Sequence, residues 1–122
     1  MQYLLLVYAA EEAYTDDERR ECFEQSTQLC HDLRAVGQYL LAAPLHAVKM
    51  ATSVRVREGK RMVTDGPFAE THEQLGGFYL IEAANLDEAI GVAERIPGAK
   101  KGTIEIRPVV HLAGLPTNQQ SG

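Results

Sequence analysis

The chain has 122 residues, 45% of them hydrophobic, which is enough for one domain with a real core. Its net charge of −5 speaks against nucleic acid as the main partner, because phosphate binding calls for a basic face. No stretch approaches the roughly 20 apolar residues of a membrane-spanning helix, so no membrane partner is expected.

The first element is Gln2–Ala9, an apolar run of strand length. It does not alternate, which predicts a strand buried on both faces. No basic region precedes it, and Glu11 and Glu12 follow at once. It is therefore not a signal peptide, and a cytoplasmic location is expected. Thr15-Asp16-Asp17-Glu18 matches a capping box, with Thr15 at the N-cap and Glu18 at N3. Cys22, Ser26, Leu29, Leu33 and Val36 then recur every three or four residues, which predicts a buried stripe. Gly37 is a natural stop, so the helix runs over about Asp16–Val36. Cys22 and Cys30 lie about 12 Å apart on such a helix. A disulfide needs Cα atoms within about 7 Å, so two reduced thiols are expected.

Gln38–Ala43 reads as a short extended entry to the next strand, Val48–Arg57. That strand alternates, with Val54 and Val56 against Arg55 and Arg57. Glu58-Gly59 makes a tight turn, and Lys60–Thr64 returns as a hairpin partner. The cations Arg55, Arg57, Lys60 and Arg61 fit a solvated hairpin face or an anion or partner site. Gly77–Ala83 is a second apolar strand without clean alternation. Asn85-Leu86-Asp87-Glu88 opens a second helix with the stripe Leu86, Ala89, Ile90 and Ala93, and Pro97-Gly98 ends it. Thr103–Arg107 alternates again. Residues 1–112 read as a single domain, and 113–122 as a polar tail expected to be disordered.

The order is β-α-β-hairpin-β-α-β. This predicts an α+β, ferredoxin-like split βαβ fold with an extra β-hairpin. The two strands apolar on both faces belong at the centre of the sheet, and the alternating ones at its edges. Two helices cover only one face of such a sheet. The apolar residues on the other face predict a homodimer packed sheet on sheet.

Asp65-Gly66-Pro67-Phe68 is the densest local motif. Gly66 permits positive φ, Pro67 fixes the next φ, Asp65 can cap nearby N–H groups, and Phe68 can plug the loop into the core. One reading is a rigid turn. The other is a carboxylate held at the rim of a pocket, as a general base or ligand anchor requires. His46 fits an exposed loop histidine, or a general base whose tautomer Asp65 fixes. Tyr8 and Tyr79 end or occupy the apolar strands and are candidates to face a ligand, or else are core residues. The four histidines show no metal-ligand spacing, and there is no phosphate loop or nucleophile elbow. No metal and no cofactor are expected.

Ala51–Arg57, Thr64–Thr71, Glu73–Ile81, Leu86–Ala89 and Gly102–Pro108 together resemble the DGPF-type branch of the YCII-related family. The resemblance runs from about Gln2 to Val109. It implies a dimeric α+β barrel and a family whose function is largely unestablished. It also implies a histidine–aspartate pair proposed for the wider family, and a frequent gene context near extracytoplasmic-function sigma factors. The wider family's histidine lies early in the first helix, where Arg20–Thr27 contains none. His31 comes a turn or more too late, so that pair is not carried over. Two functions stay open. One is a cofactor-free acid–base enzyme, isomerase- or lyase-like, acting on an unknown small molecule through Asp65 and His46. Gly66, Pro67, Phe68, Tyr8 and Tyr79 would bind its ligand. The other is a non-catalytic regulatory or interaction module linked to sigma-factor signalling.

Overall fold

The computed structural model describes residues 1–116, so most of the predicted polar tail lies outside the described residues. Six strands and two α-helices follow in the order β1 (Gln2–Ala9), α1 (Asp16–Ala35), β2 (Tyr39–Pro44), β3 (Thr52–Arg57), β4 (Lys60–Asp65), β5 (Gln74–Glu82), α2 (Leu86–Arg95) and β6 (Thr103–Pro108). Four strands form an antiparallel sheet in the order β2-β5-β1-β6. β5 is inserted between β1 and β2, and β1 between β5 and β6. This is the ferredoxin-like split βαβ arrangement of an α+β fold. The two non-alternating strands are the central ones.

The edges differ from expectation. β6 is an edge, but β3 pairs only with β4 in a separate two-stranded ribbon. The other edge is β2, the stretch read as an extended entry. Its sequence, Tyr39–Pro44, has small residues in place of an alternating pattern, which hides a strand from periodicity. Its pairing with β5 is also interrupted between Tyr39 and Leu41.

α1 starts and stops as its sequence dictates. Thr15 Oγ1 accepts from the Glu18 N–H at 3.1 Å, and the Thr15 N–H donates to Glu18 Oε1 at 3.0 Å. At the other end Gly37 has φ 77°. Its N–H bonds the Arg34 carbonyl at 3.1 Å and the Gln38 N–H bonds that of Leu33 at 2.9 Å, a Schellman closure. Val36 is left 67% exposed, outside the predicted stripe. In α2, Asn85 caps the Glu88 N–H, but the Glu88 carboxylate turns to the Ala84 N–H and the Gln38 amide instead of closing the box. The buried face of α2 is Ala89, Val92 and Ala93, while Leu86 and Ile90 are exposed. The stripe is rotated by about one residue because the helix rests on its alanines.

The core lies between the helices and one sheet face. Tyr3 and Leu5 of β1, Tyr79 and Ile81 of β5, Leu29 and Leu33 of α1, and Ala89, Val92 and Ile96 close it. Leu5, Leu33 and Ile81 have no exposed surface, and each such side chain stabilises the fold by about 1.5–3 kcal/mol. No helix among the described residues is long and apolar enough to cross a membrane.

Candidate functional site

Only part of the α1 stripe is aliphatic. Leu29 and Leu33 fill the core, but the positions toward the helix start are Cys22 and Ser26, followed by Cys30. The sheet beneath them is equally short of bulk, with Ala9, Ala42, Gly76 and Gly77. β2 and β5 run so close at Gly77 that a Cβ there would lie 3.1 Å from the Ala43 carbonyl oxygen. Small groups on both sides leave a cavity of about 510 Å³ between α1 and the β1-β5-β2 part of the sheet.

The interior of this cavity carries neutral polar groups. Cys22, Ser26 and Cys30 line it from α1, and Tyr79 from β5. Burial pushes the Tyr79 phenol above its ordinary value, and hydrogen bonding with Ser26 works in the opposite direction. Burial also raises both thiols, with Glu21 and Glu18 adding to the effect at Cys22. Both cysteines are free thiols, as expected. A raised thiol is a poor nucleophile at neutral pH. These groups suit hydrogen bonding to a ligand.

Ionisable groups stand around the cavity. Glu11, Arg19, His31 and Arg34 line its rim. Glu11 is a strut: its carboxylate accepts from the Val48 N–H at 2.9 Å, and its own N–H donates to the Gln74 side chain at 3.0 Å. Arg19 donates to the Glu11 carbonyl oxygen at 3.1 Å. Tyr14 borders the same end and is held by Lys101, whose Nζ lies 5.0 Å from the ring centre. Lys101 also donates to Glu18 at 2.7 Å and to the Ala13 carbonyl oxygen at 3.1 Å. The Lys101 ammonium, together with the Thr15 N–H, holds the Glu18 carboxyl down at about 2. Among the described residues, no group of three or more His, Cys, Asp or Glu side chains is arranged to hold a metal ion.

The sequence-predicted residues are distributed differently. Tyr79 lines the cavity. Tyr8 lies with Leu4 and Leu6 on the opposite sheet face, where its phenol is raised by burial and by Glu105. His46 is exposed and lines no part of the cavity, although its neighbours Leu45 and Ala47 do. Asp65 ends β4, pairs with Thr52 and is exposed. No hydrogen bond joins His46 to Asp65 among the described residues. The two belong to units that share no strand pairing, His46 following the sheet edge and Asp65 closing the ribbon.

The Asp65–Phe68 turn is braced by other groups than expected. Gly66 has φ 99°, its N–H bonds the Ala51 carbonyl at 2.7 Å, and its carbonyl accepts from Ser53 Oγ at 2.8 Å. Pro67 is exposed, and Phe68 is 79% exposed instead of plugging the core. The turn leaves from the ribbon, which pairs with no strand of the four-stranded sheet.

A YCII-related domain model matches residues 1–113. The chain belongs to the YCII-related family. An uncharacterized protein of Rhizobium meliloti (strain 1021) is 41% identical over 95 residues, spanning 70% of this chain and 77% of its own length. Among solved structures, a 5-chloro-2-hydroxyhydroquinone dehydrochlorinase from Burkholderia phenoliruptrix AC1100 is similar, with a TM-score of 0.55 and 15% identity. The match covers 91% of this chain and 95% of that one, which was determined with 2,5-dihydroxybenzoquinone. At that identity the likeness shows the fold.

Cys22, Ser26, Cys30 and the small residues of β2 escaped notice as a site. Their signal was a helix stripe in which short polar side chains replace leucine.

Proposed function

We propose that this protein binds a small, largely apolar organic molecule carrying hydroxyl or carbonyl groups, in the cavity between α1 and the sheet. The observation that carries this reading is the cavity of about 510 Å³ with an uncharged, hydrogen-bonding interior at Cys22, Ser26, Cys30 and Tyr79. Its volume lies within the range of about 300–1,000 Å³ usual for ligand pockets. The fold neighbour acts on a chlorinated hydroxyhydroquinone, so hydroxylated quinones and hydroquinones are the first compounds to test. The test is a calorimetric titration with 2,5-dihydroxybenzoquinone, on the wild type and on Tyr79→Phe. Saturable binding that weakens about tenfold in the variant supports the reading, that factor being the net loss of about one hydrogen bond. Titrations of this and related hydroxylated rings that never saturate would refute it.

The catalytic form of this reading is cofactor-free acid–base chemistry, an isomerisation or elimination through Asp65 and His46. In the protomer both side chains face solvent. That chemistry therefore requires the ribbon and its loop to be covered by something else. A homodimer through the open sheet face is the assembly that would provide cover. It is supported by Leu4, Leu6, Phe78 and Leu80, which lie on the face without helices.

The regulatory alternative, association with sigma-factor signalling, rests on the exposed basic side chains Arg55 and Arg57. A pull-down of a sigma factor by wild type and equally by an Arg55→Ser/Arg57→Ser variant would count against it.

A further inference from the structure

Charge is sorted across α1. The helix carries six acidic side chains, Asp16, Asp17, Glu18, Glu21, Glu24 and Asp32, and none of them lines the cavity. Of its four basic side chains, Arg19, His31 and Arg34 do line it, and the fourth, Arg20, pairs with Asp17. The helix dipole does not account for this sorting. It favours acids near the start and cations near the end, whereas Arg19 lies near the start and Asp32 near the end.

The three basic residues at the cavity are not equivalent. Arg19 is held by the Glu11 carbonyl oxygen at 3.1 Å. Glu11, the acidic lining residue, is itself engaged by the Val48 N–H at 2.9 Å. The Arg34 side chain is exposed and enters none of the ion pairs found among the described residues. His31, three residues earlier, shares its side of the helix. Cys30 lies one turn, about 6 Å, back along the axis. Helical side chains lean toward the N-terminus, so Arg34 leans back over the turn of Cys30, toward Ser26. Tyr39, the first residue of the edge strand β2, lines the cavity from the sheet. The neutral hydrogen-bonding interior thus has an unpaired guanidinium within a turn or two of it. A single ring with an acidic substituent spans that distance.

We infer that Arg34, with His31 beside it, is an anion anchor, and that the ligand of this cavity is an anion. Its class is a hydroxylated ring bearing a carboxylate or an equally acidic enol. The charge sits at Arg34, whose guanidinium offers a fork of donors to paired oxygens, and the neutral hydroxyls reach Ser26 and Tyr79. This rests on the ligand-binding reading above and specifies the kind of molecule. The quinone named there belongs to the class, since its hydroxyls are those of a vinylogous acid and ionise at neutral pH.

The test is calorimetric titration of the full chain at neutral pH with 2,5-dihydroxybenzoate, with its neutral isostere 2,5-dihydroxybenzamide, and with 2,5-dihydroxybenzoquinone. Wild type is compared with Arg34→Gln, Arg34→Lys and a charge-matched control, Arg20→Gln. The wild type should bind the carboxylate about tenfold more tightly than the amide. Arg34→Gln should weaken the carboxylate and the quinone by about that factor and leave the amide unchanged. Arg34→Lys should retain part of the preference, and Arg20→Gln all of it. Arg34 is exposed, so its variants should keep the wild-type urea denaturation. Equal binding of carboxylate and amide by the wild type overturns the anchor and leaves the cavity reading standing. So does a preference that survives in Arg34→Gln or is lost equally in Arg20→Gln, and so does quinone binding that Arg34→Gln leaves unchanged. A wild type that binds none of the three compounds overturns both.

Discussion

Replacing Ser26 with leucine separates a ligand cavity from a merely loose core. Ser26 lies on the cavity side of α1, between Cys22 and Cys30, and faces Tyr79. Leucine adds two heavy atoms to its side chain, a small volume beside about 510 Å³. Burying most of its apolar surface contributes about 1–2 kcal/mol to stability. Helix propensity adds about 0.3 kcal/mol, because leucine is a better helix former than serine. Loss of the hydroxyl that acts on the Tyr79 phenol costs at most about 1 kcal/mol. The variant should therefore be about 0.3 to 1.3 kcal/mol more stable than wild type in urea denaturation. Its affinity for a cavity ligand should fall more than about tenfold, equivalent to 1.4 kcal/mol. Urea denaturation and calorimetric titration on the same preparation read the two effects separately. A destabilisation above about 2 kcal/mol, the usual cost of overpacking, would show that the space is absent. Unchanged affinity would show that the ligand binds elsewhere.

Two further outcomes test the frame around the cavity. The Glu18 carboxyl, at about 2, lies below its ordinary value of 4.5, with Lys101 as the first cause and Thr15 the second. A lowered folded value contributes stability that is present above the unfolded value. That contribution is lost as pH falls from about 4.5 toward 2, so Glu18→Gln should flatten the fall in melting temperature across that window. An unchanged slope would mean that the Lys101 contact does not persist in solution. Gly102→Ala should lose more than about 2 kcal/mol in urea denaturation, because a Cβ there would run into the backbone carbonyl of Tyr8. An alanine variant as stable as wild type would refute the close approach of the loop before β6 to β1.

The fold was legible where one residue type has one physical role. Thr15 with Glu18, and Gly37, set the ends of α1 through their own hydrogen bonds and left-handed φ. The unbroken apolar runs at Gln2–Ala9 and Phe78–Ile81 marked the sheet's centre, because a central strand has neighbours on both sides and apolar residues on both faces. β2 was illegible as an edge because Ala42 and Ala43 signal neither face. The ribbon was misplaced because alternation reports that a strand has two different sides, not which sheet it joins. The predicted stripe of α2 held at Ala89 and Ala93 and failed at Leu86 and Ile90. Leu86 and Ile90 look like core by hydrophobicity, yet close packing favoured the smaller Ala89 and Ala93.

The same distinction explains why the site was harder to read than the fold. Asp65-Gly66-Pro67-Phe68 attracts attention because each residue has a strong backbone preference. Those preferences describe how a turn is built, and the structure uses them for a turn braced by Ala51 and Ser53. A cavity is made in the opposite way, by residues that decline to fill space. Cys22, Ser26, Ala42 and Gly77 each look unremarkable alone. They act as a set because α1 crosses the sheet at their positions and stacks short side chains above short side chains. Had the α1 stripe carried leucine at 22 and 26 as it does at 29 and 33, the same fold would close over a filled core. The loop that marks the family and the cavity that suits a ligand are therefore separate features of one protomer.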